Sequence, residues 1–267
     1  MLQGLLFDVD GTLADTEEIH RQAFNQTFRE SGLAWEWTPP LYEELLVISG
    51  GKERIQHYAL GVDPALVGRA DFPDFVRTLH GKKTALYARL LCSGHVRLRP
   101  GVERLLLEAR GTGLTLGLAS SSAWSNVRTL LDNNLGRDWQ SWFAAIETCD
   151  SVTEMKPSPA VYQAAVRRMH IDPRYCVAFE DTENGLKAAL GAGLATVITT
   201  HRFTRNHAFV GAALVLNGLG EPEQPVTVVR GVVHRPYIDL AVLERVLVDY
   251  RDPGSTNRWV QQQIAFA

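Results

Sequence analysis

The sequence has few cysteines and no long hydrophobic run. Its 267 residues include three cysteines (Cys92, Cys149 and Cys176), which are far apart and show no Cys-x-x-Cys spacing. This pattern disfavours a disulfide framework and a zinc site, and it favours a reducing compartment. No apolar run approaches the ~18 residues of a membrane helix, and the first residues lack the basic region of a secretory signal. We therefore expect a soluble cytoplasmic protein that does not bind membranes.

The chain also lacks an excess of positive charge. Its 27 lysine and arginine residues are balanced by 30 aspartate and glutamate residues, which gives a formal net charge of −3. Because proteins that bind DNA or bulk RNA usually carry a basic surface, we expect no nucleic-acid partner. With 45% hydrophobic residues, a chain of this length can form one large domain or a domain that carries an insert.

Four short apolar segments, each followed by a polar cluster, indicate buried strands. The first lies within 4–12 and breaks at Gly11; the others are 114–119, 176–179 and 195–198. Segments of helical periodicity precede the last three, at 101–111, 158–170 and 183–192. Alternating strands and helices predict an α/β fold with a doubly wound parallel sheet, whose site lies at the carboxyl ends of the strands.

Residues 15–96 differ from the rest, because they show helical patterns and no convincing strand. These patterns cover 17–31, 40–48, 52–60 and 71–91. We predict that 15–96 forms a helical cap domain inserted into a core made of 1–14 and 97–267. Near the C-terminus we predict a short β-like run over 226–233 and a helix near 238–250. The tail 251–267 has no assigned role.

The strongest chemical signal is the aspartate pair at the end of the first strand. Side chains at positions i and i+2 of a strand share a face, so Asp8 and Asp10 can point into one site, and Gly11 permits a sharp turn. One carboxylate could attack as a nucleophile while the other transfers protons. Two aspartates that merely solvate a loop would show the same pattern, so the pair alone does not decide between these interpretations.

Polar residues at the other strand ends extend this signal. Ser120–Ser122 follow the second strand, Glu180 and Asp181 follow the third, and Lys156 lies between them. Carboxylates could hold a hard divalent cation such as Mg²⁺, and the lysine and hydroxyls could hold phosphate oxygens. Alone, Lys156 would be a solvated lysine and the serines a helix cap. Their joint occurrence indicates a phosphate-transfer site.

These four elements, in this order and at this spacing, resemble the motifs of the haloacid dehalogenase superfamily of aspartate-nucleophile phosphotransferases. The resemblance covers residues 1 to about 200. It implies that Asp8 is the nucleophile and that Asp10 is the general acid and base. It also implies that Ser120 and Lys156 bind the transferring phosphoryl group, where positioning and charge stabilisation carry most of the catalysis.

The same resemblance implies a Mg²⁺ cofactor. The cation would be held by Asp8, the main-chain carbonyl of Asp10 and Asp181, with Glu180 binding directly or through water. Dehalogenases of the superfamily lack an acid at the second position and need no metal. The presence of Asp10 and Asp181 therefore favours phosphorus chemistry.

The helical insert resembles that of the CbbY and β-phosphoglucomutase branch. Segments 15–20, 50–55 and 80–87 resemble CbbY-type proteins in particular, which are phosphatases linked to the Calvin cycle that act on xylulose 1,5-bisphosphate. Substrate-binding candidates are Glu17, His20, Tyr42, Gly51, Lys52, Arg54, Lys83, Ser121 and Ser122. Alternative interpretations are a solvated helix face for the lysines and arginine, a packing role for His20 instead of orienting Asp10, and a core role for Tyr42.

The sequence thus predicts a Mg²⁺-dependent phosphatase of a small sugar phosphate, with xylulose 1,5-bisphosphate as the first choice and Arg54, then Lys83, as ligands of its second phosphate. A sugar-phosphate mutase stays open, because it shares the core motifs and passes the phosphoryl group to a second sugar hydroxyl. A non-catalytic binding protein on the same fold is the other alternative, which an intact nucleophile–acid pair disfavours. We expect a small-molecule partner and a monomer.

Overall fold

A seven-stranded sheet lies at the centre of the computed structural model, which describes residues 1–92 and 96–252. Its strands are β1 (Gly4–Phe7), β2 (Thr115–Ala119), β3 (Ala145–Glu147), β4 (Cys176–Glu180), β5 (Ala195–Thr199), β6 (Leu214–Leu216) and β7 (Val228–Arg230). The spatial order is β3-β2-β1-β4-β5-β6-β7, and only the β6–β7 pairing in this sheet is antiparallel. The predicted α/β fold is confirmed. β3 and β6 were not predicted.

The register of the central strands brings the predicted site residues level with one another. Phe7 of β1 lies opposite Leu118 of β2 and Phe179 of β4. Because all three strands run in the same direction, the residues that follow them leave the sheet at the same edge.

Five helices follow β1 within the described residues of the predicted insert. They are α1 (Glu17–Glu30), α2 (Pro39–Leu45), α3 (Gly51–Val62), α4 (Pro64–Val67) and α5 (Phe72–Cys92). Four match the predicted helical segments. The short α4 was missed, although Asp63 caps it by accepting a hydrogen bond from the Leu66 N–H and Pro64 follows the cap.

The helical insert has a hydrophobic cluster of its own, built around Phe24, Phe28 and Trp37. Trp37 is fully buried, and its ring centroid lies 4.5 Å from that of Phe24 and 4.9 Å from that of Phe28. Parts of α1 and α5 instead pack in the cluster beneath the sheet, through Ala23 and Leu86 among others. The domain bounds at 15–96 stay a prediction.

The remaining helices cover both faces of the sheet. They are α6 (Val102–Gly111), α7 (Trp124–Leu135), α8 (Ala160–Met169), α9 (Glu183–Gly191) and α10 (Leu240–Arg251). Side chains of α6, α7 and α10 pack with Leu5 and Phe7, whereas those of α8 and α9 pack with Leu6. The alternation along β1 places successive side chains on opposite faces, as strand geometry requires.

Sequence periodicity missed α7, as it missed α4, and located the other α-helices. The predicted tail beyond residue 252 lies outside the described residues. In the ranges 1–92 and 96–252, no helix combines the length and the apolar character that crossing a bilayer requires.

Arg99 ties together the backbone at the carboxyl edge of the sheet, where the chain returns from the helical insert. Its guanidinium donates to the carbonyl oxygens of Gly11, Thr199 (2.9 Å), Thr200 (2.7 Å) and Asn217 (2.9 Å). One side chain therefore joins the loop after β1 to the ends of β5 and β6.

We expect Arg99→Ala to lower the free energy of unfolding by about 1–3 kcal/mol, because several partly buried carbonyls lose their donor. Denaturant titration followed by circular dichroism measures this change. Arg97→Ala, at an exposed position two residues away, is the matched control and should change stability little. Equal unfolding midpoints for Arg99→Ala and wild type would contradict the prediction.

Candidate active site

A cavity of about 500 Å³ lies between the carboxyl edge of the sheet and the helical insert. The core contributes Asp8, Asp10, Ser120, Ser121, Ser122, Lys156 and Asp181 to its lining. The insert contributes Glu17, His20, Gly51, Lys52, Arg54 and Lys83. Of the predicted site residues, Glu180 and Tyr42 do not line the cavity, although both contact residues that do.

Lys156, which lines this cavity, forms ion pairs with two carboxylates. Its Nζ lies 2.6 Å from Asp8 Oδ1 and 2.5 Å from Glu180 Oε1. The Tyr162 hydroxyl also donates to Glu180 Oε1, at 2.7 Å. Burial alone would lower the pKa of Lys156, but Asp8 and Glu180 raise it above its usual range. The ammonium is therefore charged and held next to Asp8.

The buried carboxylates form a set of ligands suited to a divalent cation. Oxygen atoms of Asp8, Glu180 and Asp181 lie within 4.8 Å of one another. Burial raises the pKa of Asp8 to about 7, against the lowering effect of Lys156, and raises that of Asp181 to about 6. Bringing three buried acids together with one lysine leaves excess negative charge, which a cation with a preference for oxygen ligands would offset. These residues therefore fit Mg²⁺.

Asp10 is held by four side-chain hydrogen-bond donors. Thr16 Oγ1 (2.7 Å), Tyr87 OH (3.0 Å) and His20 Nε2 (3.3 Å) contact its Oδ1, and the Ser122 hydroxyl donates to its Oδ2. Burial would raise the pKa of Asp10, but the hydrogen bonds from His20, Ser122 and Thr16 lower it below its ordinary value. The insert thus supplies three of the four groups that orient this carboxylate.

The serine-rich segment after β2 is folded against the same site. Ser120 is buried, and its Oγ accepts a hydrogen bond from the Ser122 N–H at 3.0 Å. This turn directs the Ser122 hydroxyl toward Asp10. Ser121 lines the cavity beside them.

On the insert side, Lys83 is buried next to His20. The distance between Lys83 Nζ and His20 Nδ1 is 2.5 Å, and the ammonium lies over the rings of Phe24 and Tyr87. Burial and the nearby Arg54 lower the pKa of Lys83 to about 7. His20 stacks on Tyr87 with 3.9 Å between ring centroids, so it packs and contacts Asp10 at the same time.

Arg54 has a structural role that the sequence did not reveal. Its guanidinium donates to the carbonyls of Leu45 (3.1 Å) and Ile48 (3.1 Å) and to the Tyr42 hydroxyl (3.2 Å). These contacts use three of the five N–H groups of an arginine. Tyr42 is fully buried and donates to Glu17 Oε2 at 2.8 Å.

Gly51 and Lys52 open α3 at the rim of the cavity. A Cβ at Gly51 would lie 2.4 Å from His80 Nε2 of α5, so a larger residue here would displace the His80 ring. Lys52 is exposed and lines the cavity, whereas Lys82, also exposed, does not line it.

Sequence reasoning missed four polar side chains of the site. Thr16 and Tyr87 hold Asp10, Tyr162 holds Glu180, and His201 contacts Asp181. His201 directly follows the polar end of β5, a position whose strand-end pattern could have indicated it. Tyr87 and Tyr162 lie within helices, where a tyrosine is not distinguishable from a core residue by its spacing.

A family model described as haloacid dehalogenase-like hydrolase matches residues 2–193. The CbbY protein of Cupriavidus necator is 44% identical over 243 residues, which cover 91% of this chain and 95% of that protein. A crystal structure of a CbbY mutant from Rhodobacter sphaeroides in complex with xylulose-(1,5)bisphosphate has a TM-score of 0.74 and 39% identity, covering 82% of this chain and 95% of the other.

A second solved structure resembles this chain in fold alone. The β-phosphoglucomutase of Clostridium difficile has a TM-score of 0.71 at 19% identity, over 94% of this chain and 99% of that one. At this identity the similarity extends to the sheet and its helices and does not bear on the reaction.

Proposed function

Because the chain belongs to the haloacid dehalogenase-like hydrolase family and is one of its phosphatases, we propose that it hydrolyses xylulose 1,5-bisphosphate with Mg²⁺ through an aspartyl-phosphate. The observation that carries this proposal is the cavity that Asp8, Asp10 and Lys156 line together with the cations of the insert. The CbbY–bisphosphate complex of the relative supports the choice of substrate.

In the first step, an Asp8 carboxylate oxygen attacks phosphorus and the bond from phosphorus to the sugar oxygen breaks. Lys156, whose Nζ lies 2.6 Å from Asp8 Oδ1, offsets the negative charge of the nucleophile and of the transferring group. Ser120 would hold a phosphoryl oxygen from the end of β2. The negative charge of the bound substrate would raise the pKa of Asp10 from its low value in the free protein, so that Asp10 takes up a proton and gives it to the leaving sugar oxygen.

In the second step, Asp10 removes a proton from water, which attacks phosphorus and releases inorganic phosphate and the Asp8 carboxylate. Asp10 can serve both steps because its orientation is held by side chains from two parts of the fold. Thr16, His20 and Tyr87 come from the insert side, and Ser122 comes from the core. Packing of the insert on the core thereby positions the Asp10 carboxylate and excludes bulk water from the cavity.

Asp8, Asp181 and the Asp10 carbonyl are the groups that we propose would hold Mg²⁺. When bound, a divalent cation would neutralise charge on the phosphoryl oxygens. Glu180 is more closely tied to Lys156 and Tyr162, which both contact its Oε1. We propose that Glu180 chiefly orients Lys156 and meets the cation directly or through water.

The charges of the insert favour a substrate with two phosphates. Lys52, Arg54 and Lys83 of the insert line the same cavity as Asp8 of the core. Arg54 contributes to lowering the pKa of Lys83, which means that the two like charges are close. A second phosphate among them would relieve this repulsion and accept charge-assisted hydrogen bonds.

Phosphate release from xylulose 1,5-bisphosphate in the presence of Mg²⁺ tests the proposed function. We expect one equivalent of inorganic phosphate per bisphosphate and one pentulose monophosphate as the other product. Accumulation of an isomerised sugar phosphate without phosphate release would identify a mutase. Failure to act on a broad panel of sugar phosphates would indicate a binding protein. A place in the Calvin cycle, a cytoplasmic location and a monomeric state remain predictions.

Measuring kcat/KM on both the bisphosphate and the matching monophosphate should separate ligands of the second phosphate from structural residues. We expect Arg54→Ala and Lys52→Ala to lower kcat/KM for the bisphosphate, by about 1.5–3 kcal/mol for the residue that donates to the phosphate, or about 10- to 150-fold. The matching monophosphate should be affected far less. Lys83→Ala should lower kcat/KM for both substrates, because Lys83 also holds His20 against Asp10.

Lys82→Ala is the matched control, because Lys82 is an exposed lysine next to Lys83 that does not line the cavity. We expect it to resemble wild type on both substrates. Equal losses on the two substrates in Arg54→Ala and in Lys52→Ala would mean that these cations support the insert and do not bind a second phosphate.

A further inference from the structure

His201, which has no role in the steps above, lies against the proposed metal ligand Asp181. Its Nε2 is 2.9 Å from Asp181 Oδ2, and both side chains are buried. We propose that His201 is a positioning residue that holds Asp181 in the orientation needed for the cation. This inference rests on the proposed function, in which Asp181 is a ligand of Mg²⁺.

The hydrogen-bond pattern defines which nitrogen of His201 carries hydrogen. The Phe203 backbone N–H donates to His201 Nδ1 at 3.3 Å, so Nδ1 is an acceptor and the hydrogen of the neutral ring lies on Nε2. His201 Nε2–H therefore donates to Asp181 Oδ2. This bond holds Oδ2 against the ring, so that the second carboxylate oxygen, Oδ1, is not engaged by His201.

The surrounding backbone restricts Asp181 further. Gly11, with φ of 82°, packs against the pair: a Cβ there would lie 2.2 Å from Asp181 Oδ2 and 2.9 Å from His201 Nε2. Thr12 Oγ1 lies 3.4 Å from Asp181 Oδ1. The loop that carries the nucleophile thus encloses the Asp181–His201 pair, and removal of the imidazole would leave one oxygen without its short hydrogen bond.

The segment that carries His201 is also anchored in the helical insert. Phe203 is buried in the hydrophobic cluster of the insert, where its ring meets that of Tyr42 edge to face at 5.5 Å. Tyr42 in turn donates to Glu17. Packing of the insert against the core therefore fixes the backbone at 201–203, and with it the position of the imidazole that holds Asp181.

The test is metal binding without substrate, measured by electron paramagnetic resonance of Mn²⁺ used in place of Mg²⁺. We expect His201→Leu to weaken the Kd by about 10- to 100-fold, the usual effect of losing a group that orients a metal ligand. His201→Gln should retain most of the affinity, because its side-chain amide places an N–H donor near the position of Nε2. His57→Leu, the same change at an exposed position of α3, should match wild type.

Kinetics provides a second readout that general loss of structure would not reproduce. His201→Leu should require more Mg²⁺ for half-maximal activity, while kcat at saturating Mg²⁺ falls much less, and His201→Gln should restore the Mg²⁺ requirement. Equal Mn²⁺ affinity in His201→Leu and a metal-binding wild type would overturn this inference alone. A wild type that binds no Mn²⁺ would overturn both the inference and the metal-dependent function. If His201→Leu binds Mn²⁺ more weakly than wild type but the wild type releases no phosphate from any sugar phosphate, the proposed function alone would be overturned.

Discussion

Asp8→Asn should abolish phosphate release while the protein stays folded. The amide that replaces the carboxylate is neutral and a poor nucleophile, so no aspartyl-phosphate can form. Lys156 keeps its contact with Glu180 at 2.5 Å, and the variant should therefore keep its folded structure. We expect a loss of about 10⁴-fold or more in kcat, the scale seen when an enzyme loses its nucleophile. Phosphate release and circular dichroism measure the two parts of this result.

Asp150→Asn is the control for this experiment. Asp150 also lines the cavity, but it is exposed and its Oδ2 accepts a hydrogen bond from the Trp124 N–H. An asparagine can still accept that bond, so we expect most of the activity to remain. Mass spectrometry must exclude deamidation of the introduced asparagine back to aspartate. More than a few per cent of wild-type activity in the intact Asp8→Asn protein would contradict the role of Asp8.

Removal of divalent cations should also abolish turnover, and added Mg²⁺ should restore it. The reason is the group of Asp8, Glu180 and Asp181 oxygens within 4.8 Å of one another. Lys156 pairs with both Asp8 and Glu180, but its single positive charge does not balance the three buried acids, whose excess negative charge repels a phosphate dianion. A cation reverses the sign of this interaction.

The measurement compares phosphate release in excess chelator, after dialysis and after readdition of Mg²⁺. Asp181→Ala should raise the Mg²⁺ concentration needed for half-maximal activity. Asp172→Ala serves as its control, because Asp172 is an aspartate that pairs with Arg174 outside the cavity. Full activity of the wild type in excess chelator would show that Asp8, Glu180 and Asp181 do not act through a bound metal.

The sequence by itself determined the central parallel strands of the sheet, most of the helices and the residues at the carboxyl edge of those strands. Buried parallel strands appear as continuous apolar runs, and helices show a period of 3.6 residues. Both signals are local, so β1, β2, β4 and β5 were predicted together with Asp8, Ser120 and Asp181 at their ends. The parallel arrangement then required these residues to meet.

Elements with weak local signals were missed. β3 and β6 have three residues each, which is too short for periodicity to distinguish a strand from a loop. α7 contains Asn126, Asn133 and Asn134, and asparagine has a low helix propensity. These elements form because Val127, Leu130 and Val215 find partners in clusters built by distant parts of the chain.

Only the tertiary structure decided which side chains surround each proposed catalytic group. Tyr87 reaches Asp10 across 77 positions of the sequence, and Thr12 lies 169 positions from Asp181. Arg54 was predicted as a phosphate ligand from its charge, yet carbonyls at the end of α2 engage much of its guanidinium. Such partners depend on how the insert packs on the sheet edge. That packing depends on side-chain shape and hydrogen-bond geometry summed over many contacts, which no local pattern of residues encodes.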